Sequence, residues 1–398
     1  MGRGGPGVAN IDATLQVQDV TTFTALRALR DDWEALRNRD LEATVFQGFD
    51  WTEAWYESFG RGKTLHVLTV RDEAGRLVGL VPTSVAQLAK GAPRVQNLLG
   101  WPIRLTEYVD GISEPGLAGK VNEAILDWLD RDPSAWDLLV LPLVPADRPL
   151  AGLGELARRR GYSVVRREYS RSRGALPESC EALYRSLPKS MKDNVNNYTN
   201  RLRRDGQEER LAVVEGGVEL DGALDQFLRL HHLRAMSSLG PIHRDRFSAP
   251  DGRAFLRNVA HRLSGSGVFR AMFLHVNGLP VATQLCLVDR QRLYLYYSGF
   301  DPAWARYGVM TVLTRRCLEW GIEQGCREVD MMIGSEYDKR RWGLHAEPVV
   351  NLVLANRQAR SRMALAGVQI GRDALQLVQR LRSRRRSLTA RPTAIFAA

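Results

Sequence analysis

The stretch Gly278–Trp342 reads GLPVATQLCLVDRQRLYLYYSGFDPAWARYGVMTVLTRRCLEWGIEQGCREVDMMIGSEYDKRRW. Its parts come in a telling order. Pro280–Val288 and Arg292–Tyr297 alternate as strands, and Asp301–Gly308 is a turn rich in Pro, Trp and Gly. Val309–Gln324 has helical spacing and stops at Gly325, and Glu328–Ile333 is a further strand. Gly334–Trp342 closes on a charged-aromatic cluster. A loop that opens a helix directly after a strand can hold a phosphate, because the first helical turn has free N–H groups and a dipole that favours an anion. Just upstream, Val268–Val276 is joined to this block by Asn277-Gly278, a strong hairpin signal.

Outward from this block, Cys180–Leu187, Lys189–Arg204, Leu220–Ser237 and Asp251–Leu263 read as helices, and Val349–Ala355 as a last strand. The first half has a similar cadence. Leu26–Leu36 is a helix with apolar Leu26, Leu29, Trp33 and Leu36, and Asp50–Phe59 is another. Leu65–Val70 and Leu77–Val85 form a hairpin across Glu73-Ala74-Gly75. Helix Lys120–Leu129 precedes the buried strand Trp136–Leu141, and helix Leu150–Arg160 precedes the strand Tyr162–Arg166. Each half therefore runs helices, antiparallel meander, helix, strand. The boundary is expected near Tyr169–Pro177, where Ser, Arg, Gly and Pro cluster. The domains predicted are 11–170, 178–357 and a basic helical tail, 358–398.

A chain of 398 residues with ordinary apolar and charged content suits two domains. A net charge of +11 favours anionic partners, or reflects no more than an arginine-rich surface. Cys180, Cys286, Cys317 and Cys326 form no CxxC pair and no zinc spacing, so they read as small hydrophobes in a reducing cytoplasm, and no metal is expected. No apolar run reaches membrane-spanning length, and the Gly-rich start lacks a secretion-signal core. Met363–Arg386 can form an amphipathic helix that ends in an arginine cluster, either a solvated tail or an anion-binding one for a membrane surface (a peripheral contact) or RNA.

The chain resembles the GNAT acyltransferase superfamily. Within it, the chain is similar to the CelD-type branch associated with cellulose and polysaccharide biosynthesis, and in its tandem layout to FemAB-type transferases. The resemblance rests on Phe46-Gln47-Gly48-Phe49-Asp50-Trp51, Trp55, Phe59-Gly60, Leu187-Pro188-Lys189-Ser190, Leu230-His231-His232-Leu233-Arg234, Tyr297-Ser298-Gly299-Phe300-Asp301-Pro302-Ala303-Trp304 and Glu336-Tyr337-Asp338-Lys339-Arg340-Arg341-Trp342. It implies an α/β (α+β) class with two tandem GNAT-like domains, each a mixed, mostly antiparallel sheet flanked by helices, and catalysis in the second. It also implies that an acyl-CoA donor, such as acetyl-CoA, is held by backbone at Arg306, Tyr307, Gly308, Val309, Met310 and Thr311. Met310 stands where the family prefers a second small residue, and its side chain narrows the approach to a phosphate.

Transfer of an acyl group to an amine needs an oriented donor, oxyanion stabilisation and removal of a proton. His231 matches the family's Leu-His position and titrates near neutrality, so it is either a proton shuttle or a hydrogen-bonded structural residue. Asp330, on an apolar strand, is either a base or half of a buried ion pair. His232 and Glu336 are the other candidate bases, and of the two neighbouring histidines at most one is expected to face a given site. Arg234, Tyr297, Lys339, Arg340 and Trp342 suit recognition of a phosphate or carboxylate with a stacking face, or a solvated charge run beside an anchoring Trp. The leading expectation is an acyl-CoA-dependent transferase acting on an amine or hydroxyl of a small polar or sugar-like acceptor. The alternatives are a FemAB-like transferase using aminoacyl-tRNA and a non-catalytic accessory protein of polysaccharide biosynthesis. No DNA partner is expected.

Overall fold

A computed structural model of the chain describes residues 14–87, 89–100, 105–237, 243–333 and 339–370. The first half contains β1 (Gln16–Val20), α1 (Phe23–Ala28), α2 (Arg30–Arg39), α3 (Phe49–Phe59), β2 (Thr64–Arg71), β3 (Leu77–Ala86), β4 (Val95–Leu98), β5 (Ile112–Ser113), α4 (Ala118–Arg131), β6 (Leu138–Pro145) and α5 (Leu153–Arg159). The strand β7 (Ser163–Ala175) leads into α6 (Cys180–Ser186), α7 (Lys189–Arg204), β8 (Glu209–Val214), α8 (Leu220–Met236) and α9 (Pro250–Gly265). Then follow β9 (Phe269–Val276), β10 (Leu279–Asp289), β11 (Arg292–Phe300), α10 (Val309–Glu323), β12 (Glu328–Ile333) and β13 (His345–Ala355).

All thirteen strands join one sheet, in the order β1-β2-β3-β4-β6-β13-β7-β12-β11-β10-β9-β8, with β5 paired to β3. Two pairings are parallel, β4 with β6 and β11 with β12, one in each half. The others are antiparallel, so each half is the mixed, mostly antiparallel sheet with flanking helices that the sequence led us to expect.

The seam differs from the expectation. Tyr169–Ala175, read as a linker, is strand. β7 pairs with β13 along its length and with β12 at its end. Its arginines are tolerated there because partners wait nearby: Arg171 pairs with Glu347 of β13, and Arg173 with Glu328 of β12 and with Glu42 from the loop after α2. β13, the last strand, lies between β6 of the first half and β7. The chain thus returns to stitch the two halves together. A single hydrophobic cluster also spans them, from Trp33, Phe49 and Trp51 to Phe255, Leu256 and Tyr296. Trp51 meets Phe255 and Tyr296 edge-on at 5.5 and 5.6 Å. Around this core, buried Glu53 on α3 pairs with Arg27 and Arg30 and with Arg262 on α9. Burial raises the Glu53 carboxyl, but the bonds and charge of Arg27 and Arg262 outweigh it and hold the group below its ordinary value.

Leu26–Leu36 is two helices, not one. The chain tightens at Leu29, whose N–H bonds to the Leu26 carbonyl, and Leu26, Leu29, Trp33 and Leu36 all still reach the core. Among the described residues, no helix is long and apolar enough to cross a membrane. Residues 359–370 are helical, and the rest of the expected tail lies outside the described residues.

Candidate active site

The ladder between β11 and β12 stops at Tyr294↔Asp330, although β11 continues to Phe300 and β12 to Ile333. Past that point a cleft of about 680 Å³ opens between Leu295–Ser298 of β11 and Met331–Ile333 of β12. Met310, Thr311 and Thr314 of α10 line it, as do Glu107 and Leu143 of the first half, Tyr169 of β7 and Asn351 of β13. The cleft therefore lies where the sheet halves meet.

Two strained residues face it. Met332 (φ 63°) and Leu143 (φ 53°) adopt left-handed backbone, which is costly for any residue but glycine. Both sit at breaks in strand register, β12 against β7 and β6 against β13. Each is propped by a side chain that accepts its amide hydrogen: Asp330 Oδ1 takes the Met332 N–H (2.7 Å), and Asn351 Oδ1 takes the Leu143 N–H (2.7 Å).

Of the two readings that sequence left open for Asp330, its surroundings match the buried one. It is 1% exposed and does not line the cleft. Its Oδ1 also accepts the hydroxyl of Tyr108 from the first half (2.8 Å), and Arg171 stacks on that ring at 5.1 Å. Burial raises the Asp330 carboxyl, with Arg171 and the two hydrogen bonds opposing. Burial and the neighbouring Asp330 drive the Tyr108 phenol far above its ordinary value, so it stays a donor. Asp330 is the buried partner of a bond across the seam, not a base open to substrate.

His231 lines the cleft, but both its nitrogens are engaged. Arg246 N–H can only donate, so Nε2 accepts it (3.2 Å), and Nδ1–H donates to the Ser298 carbonyl (2.9 Å). Burial lowers the ring's pKa, and the Ser298 carbonyl and Asp245 only partly offset that. The neutral ring ties α8 to β11 and to the 243–247 loop. Backbone packs on backbone here: a Cβ on Gly299 would come within 2.3 Å of the His231 nitrogen. His232, one residue on, is exposed and pairs with Asp245.

Gly308 is the left-handed N-cap of α10 (φ 56°), as a turn of this kind requires. It has a second reason to be glycine. The ring of Tyr198, from α7, packs so close that a Cβ on Gly308 would lie 2.4 Å from it. Arg201 of the same helix donates to the Arg306 carbonyl, while Tyr307 is buried and donates to Asp205 (2.8 Å). Val309 is buried in the core, and Arg306 is exposed. Of the six residues suggested for the donor, only Met310 and Thr311 line the cleft.

Arg234, Tyr297, Lys339 and Trp342 do line it, and Arg340 does not. Arg234 bonds to Ser298 Oγ and to His243 Nε2 and lies over the Phe300 ring, and Lys339 Nζ donates to the Met332 carbonyl (2.6 Å). Arg341, part of the charged run that sequence singled out, lines it too, and Arg244 and Arg246, which sequence did not single out, add further positive charge. Glu336 lies outside the described residues. Sequence reading also passed over Glu107, the one carboxylate among the described lining residues. Among the described residues, no group of three or more His, Cys, Asp or Glu is placed to hold a metal ion.

Residues 189–340, from the start of α7 to just past β12, match a family described as the acetyltransferase (GNAT) domain. The matched span lies within the second half. The fold as a whole is similar to that of FemX, with a TM-score of 0.57 and 9% identity over 84% of this chain and 96% of that one. It is also similar to the C-terminal domain of a protein assigned as a lysylphosphatidylglycerol synthetase from Agrobacterium fabrum, with a TM-score of 0.51 and 11% identity over 87% of this chain and 96% of that one. At such identities the likeness is one of fold. No curated protein matches the chain. The matched span includes β11, α10 and β12, which line the cleft together with Glu107 and Leu143 of the first half.

Proposed function

We propose that the chain is an acyltransferase that moves an activated acyl group onto an amine or hydroxyl of a small polar or sugar-like acceptor. The observation that carries this reading is the cleft, which passes from the GNAT helix α10 to residues of the first half. A donor entering beside Met310 and Thr311 and an acceptor entering beside Glu107 and Tyr169 would meet between β11 and β12. Confinement of this kind supplies the orientation that acyl transfer needs, and no nucleophilic side chain is required. The cleft's positive charge suits an anionic group on either substrate. The resemblance to the CelD-type branch supports the sugar-like acceptor.

The donor in the leading reading is an acyl-CoA, with its pyrophosphate near the start of α10. The Tyr198 ring on Gly308 and the Met310 side chain leave less open backbone there than a phosphate cradle offers. That observation favours a second reading, in which an aminoacyl-tRNA is the donor. A thermal-shift panel with acetyl-CoA, longer acyl-CoAs and aminoacyl-tRNA separates the two. A donor at 100 times its Kd is expected to stabilise the protein by about 2.7 kcal/mol. Transfer from tRNA is expected to fall steeply with salt, and transfer from CoA much less. No stabilisation by any of these donors, together with no transfer, would overturn the acyltransferase reading.

A further inference from the structure

Acyl transfer to an amine requires a group that takes the proton. Asp330 is buried and does not line the cleft, whereas Glu107 is the one carboxylate among the described residues that do. We infer that Glu107, from the first half, is the proton acceptor for the reaction in the cleft of the second, an assignment that rests on the acyltransferase reading above.

The argument starts from the loop that carries it. Leu105, Thr106, Tyr108, Val109, Asp110 and Gly111 are all buried, and Glu107 is the partly exposed residue among them. Bonds hold almost every neighbour. Leu105 O accepts the Tyr296 hydroxyl, Thr106 Oγ1 accepts the Trp51 indole N–H (3.0 Å), and Tyr108 donates to Asp330. Asp110 pairs with Arg148, and Gly111 O accepts from Gln47 (3.0 Å). Tyr108 itself is held at φ 52°, in the left-handed region, which turns the chain sharply beside Glu107. A loop so fixed, with one carboxylate at the cleft wall, is a presenting device rather than a surface turn. Two of its bonds end on β11 and β12, the strands that bound the reacting space.

In the step itself, the nitrogen lone pair attacks the acyl carbonyl carbon and forms the C–N bond. The bond from that carbon to the donor sulfur, or to the ester oxygen of an aminoacyl donor, breaks, and its electron pair leaves with the sulfur or oxygen. The proton of the attacking N–H passes to the Glu107 carboxylate, which returns it to the leaving group. The cleft also presents Arg234 from α8, Arg244 and Arg246 from the loop after it, and Lys339 and Arg341 from the segment before β13. Tyr296 and Tyr297 of β11 and Tyr169 of β7 present phenols, and His231 and His243 present imidazoles.

The test compares the full chain with E107Q, E107D and E336Q, using whichever donor supports transfer by the wild type. E107Q is expected to lose 10²–10⁴-fold in kcat. It should retain its thermal midpoint and the donor's stabilising shift, and its kcat-versus-pH profile should lose the acid limb of the wild type. E107D is expected to recover part of the rate together with the limb. If E107Q keeps kcat within about threefold, or keeps the acid limb, the assignment is overturned. It is also overturned if E336Q alone abolishes the limb. If the wild type transfers from no donor and no donor shifts its melting, the acyltransferase reading itself fails.

Discussion

The two halves solve one connection in different ways. Each crosses from a strand through a helix to a parallel partner: β4 to α4 to β6 in the first, β11 to α10 to β12 in the second. In the second half, residues 301–308 make a short 3-10 turn that ends on left-handed Gly308 and opens directly into α10. In the first half, residues 99–117 make the same passage. The described part of this connection folds inward, where Thr106, Tyr108 and Asp110 are buried and Glu107 reaches the other half's cleft. The bulges next to the two crossovers remain alike, with Leu143 and Met332 both at positive φ and both propped by a side-chain oxygen. The lesson is a division of labour: one crossover brings the first turn of a helix to the cleft, and the other is recast as part of its wall.

The largest effect is expected from striking the first half's connection at its anchor. Arg148 is buried and pairs with both Asp40 and Asp110. Burial raises the Asp110 carboxyl to about 6 against the pull of Arg148. R148M leaves two buried carboxylates without their cation and is expected to cost about 3–5 kcal/mol in urea unfolding at pH 7. The sign of the pH dependence follows from the raised Asp110 value. A carboxyl whose folded pKa lies above its unfolded one loses stability as pH rises through it, so the R148M deficit should shrink below pH 6. A deficit under about 1 kcal/mol would mean that the loop does not depend on this anchor.

Striking the second half's connection should cost less. G308V forces a β-branched residue to φ 56° and into the Tyr198 ring. About 3 kcal/mol is expected from strain and overpacking, measured as thermal or urea unfolding. Pairing G308V with Y198A should recover part of the loss. No recovery would mean that strain alone fixes the glycine.

The bond that joins the two connections comes next. Y108F removes the donor to Asp330 and is expected to cost about 1–3 kcal/mol. The Tyr108 bond opposes the rise of the Asp330 pKa, so its loss lets that pKa rise further. The variant should therefore be closer to wild type at pH 4 than at pH 8. An equal deficit at both would contradict an ionised Asp330.

The smallest effect is expected at the outer contact of the halves. R262A leaves Glu53 paired with Arg27 and Arg30, so the cost should be about 1 kcal/mol. Because the Glu53 carboxyl is held below its ordinary value, its contribution is present above about pH 4.5 and fades as pH falls through the lowered value. Hydrogen exchange on α3 and α9 against pH checks this.

Much of the second half was legible because its signals are local. Asn277-Gly278 makes the hairpin, with both residues at positive φ, and the apolar spacing of α10 stops at Gly325. The missed strands are short or charged: β4 and β5 have four and two residues, and β8 begins Glu209-Arg210. They are strands because neighbours complete their ladders, not because of their own periodicity. β7 was half hidden for the same reason, since the partners of Arg171 and Arg173 are far off in sequence. The site divides the same way. Arg234, Tyr297, Lys339 and Trp342 were readable as a charged-aromatic set. Whether His231 is free depends on the Ser298 carbonyl and the Arg246 N–H, which no spacing reveals. Glu107 sits in Leu105-Thr106-Glu107-Tyr108-Val109-Asp110-Gly111, a stretch without period, and its place follows entirely from tertiary bonds.

The central claim is that transfer takes place in the cleft at the seam, with the second half presenting the donor. A crystal structure of the protein with a non-transferable donor analogue tests it most directly. The account expects the acyl carbonyl between Tyr297-Ser298 and Met331–Ile333, with the rest of the donor leaving past Met310 and Thr311. An acyl group in the 790 Å³ hollow of the first half beside Asn122 and Arg148, or anywhere outside the β11–β12 opening, would contradict it.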